Sequence, residues 1–184
     1  MALVKLKIGD PAPKIGKLPG VDGKTYSMEN FEDKKILIIA FTCNHCPYVQ
    51  AYEDRLIEIQ NDYNDKGIQL IAINVNETKH YPEDDFDHMV IRAKEKGFNF
   101  LYLRDETQRI AAAYYARTTP EVFVLDQERR LRYRGRIDDN WEYPEEVETP
   151  DLRNALDELL AGKEVSTPET RAVGCPIKWI TNFT

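Results

Sequence analysis

The 184-residue sequence predicts an α/β fold, with a mixed, mainly parallel central sheet flanked by helices. Strand-like apolar runs alternate with helix-like amphipathic segments in the order β-α-β-α-β-α-β-β-α. Two of these runs, KILIIAF (35–41) and IQLIAINV (68–75), are almost continuously apolar, which is typical of strands buried on both faces. A parallel sheet covered by helices accounts for both observations.

The first half of the chain combines a turn-rich segment with two strands and a helix. Residues 9–23 are dense in glycine and proline, so we expect an extended segment with turns. Between the strands 35–41 and 68–75, apolar residues recur every three or four positions from Val49 to Tyr63, which predicts a long amphipathic helix. Gly67, which follows, is a residue that commonly ends a helix.

The second half continues the alternation. We predict a helix at 83–96, a strand at 99–104, a short helix at 105–116, strands at 121–126 and 131–137, and a helix at 150–162. A short turn joins the last two strands, so they form an antiparallel edge. The length suits one domain, so we expect residues 1–184 to form a single domain, with 163–184 as a tail packed on it.

The net charge of −7 excludes a typical nucleic-acid-binding protein, which needs a basic surface. No apolar run approaches the roughly 20 residues of a membrane-spanning helix, and the first residues lack the apolar core of a signal peptide. We therefore expect a cytoplasmic protein without membrane insertion and without a nucleic-acid partner. Three cysteines are too few for a disulfide framework.

The stretch FTCNHCP at 41–47 is the main candidate for chemistry. Cys43 follows a buried strand directly, so it lies at the carboxyl end of the sheet, where open α/β sheets place their sites. Cys46 stands three residues later, close enough for a disulfide, and the helix that follows has a positive N-terminus that stabilises a thiolate. A strand, a Cys-x-x-Cys pair and a helix together predict a redox-active dithiol. Pro47 is favourable as the first residue of the helix, which would leave CNHC as the turn before it.

The positions of these residues suggest a role for each. Cys43, at the more exposed end of the turn, is expected to attack a substrate disulfide, and Cys46 to resolve the mixed disulfide. His45 and Asn44 are the candidates for tuning the thiolate. A positive His45 would lower the pKa of Cys43, stabilise the reduced form and make the pair more oxidising.

The cysteine pair is also compatible with a zinc site or with two buried structural thiols. A zinc site needs four ligands, and the further candidates are Cys175, His80 and His88, but no second Cys-x-x-Cys occurs. We expect no metal and no organic cofactor. His80 and His88 stand in an acidic stretch, 77–87, which we expect to be a solvated surface.

FTCNHCP after KILIIAF, together with TTPEVFVLD at 118–126, resembles the thioredoxin-fold superfamily, in its redoxin branch of alkyl hydroperoxide reductases and thiol-specific antioxidant proteins. The chain is similar to a group of bacterial thioredoxin-like proteins marked by FTCNHCPYV, YEDRL, RTTPEVFVLD, YRGRIDD and GCPIKW. The resemblance runs from Ile8 to Trp179. It implies a thioredoxin-like fold and thiol–disulfide exchange with a disulfide-bearing protein or small thiol, supported by an unnamed electron donor or acceptor.

The resemblance also implies a substrate-binding edge and an insertion. The family's cis-proline corresponds to Pro120, and the backbone of Thr119 would then pair with a substrate strand. The helix and strand at 83–104 correspond to the insertion of redoxins. The chain departs from thioredoxin in two places: Thr42 replaces a tryptophan, and Ala40 stands where a buried aspartate is usual. Water or another group must then accept the proton.

Three questions stay open at this level. A peroxiredoxin is the main rival function, but its Pro and Thr, seven and three residues before the reactive cysteine, are absent before both Cys43 and Cys46. A non-catalytic binding module of the same fold is the other rival. Cys175, in GCPIKW, is either a small buried side chain or a third redox thiol that the folded-back tail sets near the dithiol.

Overall fold

The computed structural model describes residues 4–181. Its strands are β1 (Leu18–Pro19), β2 (Thr25–Tyr26), β3 (Ile36–Thr42), β4 (Ile68–Asn74), β5 (Leu101–Arg104), β6 (Thr118–Thr119), β7 (Glu121–Leu125), β8 (Leu131–Gly135) and β9 (Cys175–Pro176). Its helices are α1 (Pro47–Tyr63), α2 (Phe86–Lys96), α3 (Arg109–Ala113) and α4 (Asp151–Leu160). In the described chain, no helix is long and apolar enough to cross a membrane.

The central sheet has five strands in the order β5-β4-β3-β7-β8. β3 pairs in parallel with β4, where Ile39 faces Ile71, and antiparallel with β7, where Ile39 faces Phe123. β5 is parallel to β4, and β8 is antiparallel to β7. The prediction of a mixed sheet with an antiparallel edge is therefore confirmed. β3 is buried along its whole length because it lies in the middle of the sheet.

Each face of the sheet carries its own core, and the alternation of side chains along β3 divides them. Ile38 and Ala40 point to the face covered by α1, α2 and α4. Leu37, Ile39 and Phe41 point to the face covered by α3 and the segment before β3. The carboxyl end of β3 is thus held rigidly between two packed layers, and the next residue is Cys43.

The largest differences from the predicted helix bounds are at two N-termini. In addition, α3 ends at Ala113 rather than at 116, and α4 spans Asp151–Leu160 rather than 150–162. α1 begins at Pro47, as expected. The predicted helix at 105–116 is shorter, because the Asp105 carboxylate accepts the N–H groups of Ile110 and Ala111 at 3.0 and 3.1 Å, and Gln108 has a φ of 62°. The predicted helix at 83–96 begins only at Phe86, after a turn of 3₁₀ helix.

The tail beyond α4 lies along the same edge of the molecule as β6. β9 pairs antiparallel with β6, and the N–H of Ile177 donates to the carbonyl of Arg117 at 3.0 Å. Further along, the N–H of Lys178 donates to Asn76 Oδ1 at 3.0 Å, and that of Ile180 to Gln108 Oε1 at 2.8 Å. These bonds fix the tail at Cys175 and in the residues that follow it.

Candidate active site

The CNHC turn joins the end of β3 to the first residue of α1. Cys46 is the N-cap of α1, with φ −66° and ψ 125°, and its carbonyl accepts the N–H of Gln50 at 3.0 Å. The exposed fraction is 2% for Cys43 and 0% for Cys46. The expected difference in exposure is therefore wrong: both thiols are buried.

A carboxylate from outside the motif holds this turn. Asp84 is fully buried, at 0% exposed, and accepts the backbone N–H groups of Asn44 at 2.7 Å and His45 at 3.2 Å. Asn76 Nδ2 donates to the same carboxylate at 2.9 Å. The expectation that the acidic stretch 77–87 is a solvated surface is thus wrong for Asp84. The hydrogen bonds from the turn and from Asn76 hold the Asp84 side chain in the interior, against the turn.

Nothing in the sequence distinguishes Asp84 from its acidic neighbours. Glu83 and Asp85 flank it, and both are at least partly exposed, so no apolar period marks the middle residue as buried. Ala40 leaves the site without the usual strand aspartate, as the sequence indicated. The structure brings a buried carboxylate to the turn from the loop before α2 instead.

His45 contacts this carboxylate and lies close to the sulfur of Cys43. Its Nδ1 is 2.5 Å from Asp84 Oδ2, and its ring stacks on Tyr81 with a centroid distance of 5.8 Å. One atom each of Cys43, His45 and Asp84 lies within 4.8 Å of the other two. The nearest partner of the imidazole is therefore the Asp84 carboxylate, and the Glu83 carboxylate is also close, with Oε1 3.9 Å from Nδ1.

Asn44 anchors the turn on its other side. The hydroxyl of Tyr102 donates to Asn44 Oδ1 at 2.6 Å, and Asn44 Nδ2 donates to the carbonyl of Glu83 at 3.0 Å. Gln50 Nε2 donates to the Asn44 carbonyl at 2.8 Å. The polar atoms of the Asn44 side chain are therefore bonded to Tyr102 and Glu83, and they stabilise the backbone of the turn. Any effect of Asn44 on the thiols acts through the conformation of this turn.

Thr119 faces both thiols. Its peptide bond to Pro120 is cis, as the resemblance implies. Thr119 Oγ1 is 3.6 Å from the sulfur of Cys43, and its carbonyl oxygen is 3.5 Å from that of Cys46. The edge expected to pair with a substrate strand is occupied by the tail, because Thr119 is the register partner of Cys175.

Cys175 completes a cluster of three free thiols. Its sulfur lies 2.8 Å from that of Cys46, and it packs against the small cluster formed by Cys43, Cys46 and Val49. The tail therefore places a third sulfur against the pair, at the point where a substrate strand was expected.

The three cysteine thiols differ in pKa because their surroundings differ. The pKa of Cys46 is lowered to about 5, first because the thiol of Cys43 donates a hydrogen bond to it. The thiol of Cys175 and the backbone groups of Val49 and Cys175 lower it further, and together these effects exceed that of burial, which raises it. The pKa of Cys43 is raised, because its proton is held in that bond, because it is buried and because Asp84 is negative. Burial and Cys46 raise the pKa of Cys175 to about 11.

The expectation of a lowered pKa for Cys43 is therefore wrong. Pro47 is the first residue of α1, so the positive end of the helix acts on Cys46, at the N-cap, rather than on Cys43, three residues earlier. Besides the bond to Cys46 and burial, the Asp84 carboxylate raises the pKa of Cys43, because it disfavours a second negative charge.

The geometry does not fit the zinc alternative. Within residues 4–181, the ligand-type cluster at the turn consists of Cys43, His45 and Asp84. The 2.5 Å between His45 Nδ1 and Asp84 Oδ2 is a hydrogen-bond distance, whereas two ligands of one tetrahedral zinc lie about 3.3 Å apart. His80 and His88 are exposed and pair with their own neighbours, Glu77 and Asp85.

Comparison with known proteins places these features in a wider group. A family model described as Redoxin matches residues 7–156. The comparison with curated proteins gave no match. A hypothetical protein from Sinorhizobium meliloti is 35% identical, with a TM-score of 0.90, and the match covers 97% of this chain and 98% of that chain. An uncharacterized conserved protein from Geobacillus kaustophilus is 37% identical, with a TM-score of 0.89, over 97% and 95%.

More distant structures share the fold alone. A thiol:disulfide interchange protein of the thioredoxin family from Chlorobium tepidum is 20% identical, with a TM-score of 0.57. The match covers 71% of this chain and 87% of that chain.

Proposed function

The chain belongs to the redoxin family and has a thioredoxin-like fold, and from this premise we propose that it is a thiol–disulfide oxidoreductase whose redox couple is the pair Cys43 and Cys46. The observation that carries the proposal is the arrangement of these thiols at the end of β3, both buried and both in contact with Thr119 beside the cis bond. Two structural thiols in a core would not need a buried carboxylate, a histidine and a helix N-terminus around them.

The reaction is a two-step exchange. A thiolate of the pair attacks one sulfur of a substrate disulfide, a mixed disulfide forms, and the other substrate sulfur leaves as a thiolate that takes up a proton. The second thiol of the pair then loses its proton and attacks the first. This step forms the Cys43–Cys46 disulfide, releases the substrate as a dithiol and passes two electrons to it.

The contacts favour an order of attack opposite to that expected from the sequence, in which Cys43 attacks and Cys46 resolves. Cys46 is the thiol whose pKa is lowered, and it lies against the strand paired with Thr119. We therefore assign the first attack to Cys46 and the resolution to Cys43.

Resolution by Cys43 requires a proton acceptor, because its bond to Cys46, its burial and Asp84 raise its pKa. A ring nitrogen of His45 lies within 4.8 Å of its sulfur, and the Asp84 carboxylate orients the ring through Nδ1. In this proposal His45 accepts the proton of Cys43, and Asp84 stabilises the imidazolium that forms. His45 and Asp84 would thus take the role of the buried aspartate that is usual at the position of Ala40.

The substrate class follows from the site. A disulfide-bearing peptide strand or a small thiol compound fits an exchange at a strand edge, and an external thiol or disulfide must reset the pair after each turnover. The direction of net electron flow then depends on the potential of that external partner.

Single-turnover reduction of a peptide closed by one disulfide tests the proposal. The reduced protein should convert the peptide to its dithiol and acquire the Cys43–Cys46 bond. The double variant Cys43→Ser/Cys175→Ser should stop at a mixed disulfide on Cys46, because no second thiol then remains beside it. Cys175→Ser alone, the control that keeps the pair, should reduce the peptide. A mixed disulfide on Cys43 in the Cys46→Ser variant would reverse the order of attack. No reaction with the peptide, but consumption of hydrogen peroxide, would favour the peroxidase instead.

A further inference from the structure

The tail strand β9 binds where a substrate strand would bind. It pairs antiparallel with β6, with Thr118 opposite Pro176 and Thr119 opposite Cys175. Proteins that bind peptides at a sheet edge use the same backbone bonds, and side-chain pockets then select the sequence. The tail is therefore an extended, cysteine-bearing strand seated on the edge beside the cis bond.

Gly174 permits the close approach of this strand. A Cβ atom at position 174 would lie 2.1 Å from the carbonyl oxygen of Thr119 and 2.7 Å from its carbonyl carbon, so no other residue fits without moving the strand. The glycine is not needed for its φ angle, which lies outside the left-handed region. Because Gly174 has no side chain, the strand lies close enough to Thr119 for the next residue, Cys175, to contact the thiol pair.

A second glycine fixes the tail upstream. A Cβ atom at Gly135 would lie 2.2 Å from Oγ1 of Thr170 and 2.4 Å from its carbonyl oxygen. The N–H of Thr170 donates to the carbonyl of Arg134 at 3.1 Å. Downstream, the carbonyl of Lys178 accepts the N–H of Glu77 at 2.8 Å. The chain therefore positions Cys175 from both directions, which a merely buried cysteine would not require.

The sulfur of Cys175 faces Cys46 at 2.8 Å, about 0.75 Å longer than a disulfide bond of about 2.05 Å. The partner is the thiol at the N-cap of α1. Cys43 lies against Thr119 Oγ1 and close to His45 and Asp84. The three sulfurs share one small cluster, in which Cys46 is the thiol in direct contact with Cys175.

From this contact and from the pairing of the tail with Thr119 we propose that Cys46 and Cys175 form a second redox couple, so that the tail acts as an intramolecular substrate strand that takes over the disulfide of the catalytic pair. The proposal rests on the proposed function, since the first disulfide is the one formed between Cys43 and Cys46. It identifies Cys46 as the sulfur that exchanges with any strand docked on Thr119. It also assigns to Cys175 a chemical role in the cycle.

The exchange balances without a further oxidant. Cys175 gives up its proton and its thiolate attacks the sulfur of Cys46. The Cys43–Cys46 bond breaks, the Cys46–Cys175 bond forms, and Cys43 leaves as a thiolate that takes up the proton. The protein contains one disulfide and one thiol both before and after the step, so it neither gains nor loses electrons.

The tail also defines which external strands can compete. A strand that replaces it must present a residue without a side chain directly before its cysteine, because the carbonyl of Thr119 fills that space. The tail is tethered, so its effective concentration at the edge is high, and an external strand must displace it. Extended Gly-Cys peptides, bound in the same register, are therefore the substrate class that the edge accepts.

Disulfide mapping tests the relay. The reduced protein is oxidised with one equivalent of oxidised glutathione, alkylated, digested without reduction and analysed by mass spectrometry. The wild type should carry mainly the Cys46–Cys175 bond. Cys175→Ser should carry Cys43–Cys46, and Cys43→Ser should still form Cys46–Cys175. Gly174→Ala should shift the bond toward Cys43–Cys46 by at least tenfold, whereas Gly16→Ala, at an exposed site with no atom within 4 Å, should match the wild type.

The outcomes separate the two proposals. A Cys43–Cys46 bond in both the wild type and Cys175→Ser, with Cys175 alkylated throughout, overturns the relay and leaves the proposed function standing. Absence of any intramolecular disulfide in the wild type and in Cys175→Ser overturns the proposed function itself. Circular dichroism of Gly174→Ala checks its fold, and if it is unfolded, the Cys43→Ser and Cys175→Ser maps decide alone.

Discussion

Nδ1 of His45 lies 2.5 Å from Oδ2 of Asp84, and this bond joins the CNHC turn to a loop about 40 residues further along the chain. The carboxylate is completely buried and also receives two backbone N–H groups of the turn. The thiol pair is therefore shaped by a group that its own motif does not contain. The first prediction follows from this contact.

Asp84→Asn should weaken the fold and make Cys43 more acidic. The amide cannot accept all the hydrogen bonds of the carboxylate, so we expect a loss of about 1–3 kcal/mol in the free energy of unfolding. Removing the negative charge should also lower the pKa of Cys43, since Asp84 raises it in addition to the bond to Cys46 and burial. Urea unfolding measures the first effect. The pH dependence of Cys43 alkylation, in a Cys46→Ala background, measures the second.

Asp87→Asn is the matched control, because Asp87 is an exposed carboxylate three residues away. It should leave both quantities within error of the parent. An Asp84→Asn protein that loses stability but keeps the pH midpoint of Cys43 would limit Asp84 to a structural role and remove it from the proton-transfer proposal.

The second prediction concerns the pH dependence of Cys46. Since its pKa is lowered to about 5, its thiolate should appear as the pH rises through about 5, well below the value of about 8.5 for a free cysteine. The ultraviolet absorbance of the thiolate reports this titration without requiring a reagent to reach the buried sulfur. In urea the same transition should move up to about 8.5.

Variants of Cys43 identify the cause of this acidity. Cys43→Ala removes the hydrogen bond that is the largest contribution, so the pKa of Cys46 should rise. Cys43→Ser keeps a donor and should retain most of the effect. Equal midpoints for the alanine and serine variants would show that the bond from position 43 does not set the pKa.

The third prediction concerns the anchor of α1. Asp138 is buried at 7% exposed, and its Oδ2 accepts Arg55 Nη1 at 2.8 Å, while its Oδ1 accepts the hydroxyl of Tyr52 at 2.8 Å. Asp138→Ala leaves the Arg55 charge buried without its carboxylate, which typically costs about 3–5 kcal/mol. Chemical denaturation measures the loss.

The comparison for this anchor is the more exposed pair of Asp62 with Arg153, at 2.8 Å. Asp62→Ala should change the unfolding free energy by less than about 1 kcal/mol, because solvent screens such pairs. Similar losses for Asp62→Ala and Asp138→Ala would show that burial does not govern the strength of these ion pairs.

The elements with strong local patterns could be predicted from the sequence. The apolar run of β3, the period of α1 and the proline after Cys46 each determine a structure by themselves. The cis bond before Pro120 came from the family resemblance and is present.

The parts that depend on distant contacts could not be predicted fully. Asp84 is buried by the backbone of a turn about 40 residues earlier, and no local period marks it. The pKa values of the two thiols depend first on the bond between them and on burial, and both follow from the folded arrangement of the turn. The approach of the tail to the pair was one of two alternatives for Cys175, and its register on Thr119 depends on the contact of Gly174.

The most direct test of the central claim is the thiol–disulfide equilibrium of the wild type in glutathione buffers of stepped ratio, followed by quantifying the three thiols. We predict one reversible two-electron transition in which Cys46 is always one of the two oxidised sulfurs. Its potential should lie in the range of about −120 to −270 mV that thiol–disulfide oxidoreductases span. A protein whose Cys46 stays a free thiol across the whole series would contradict it.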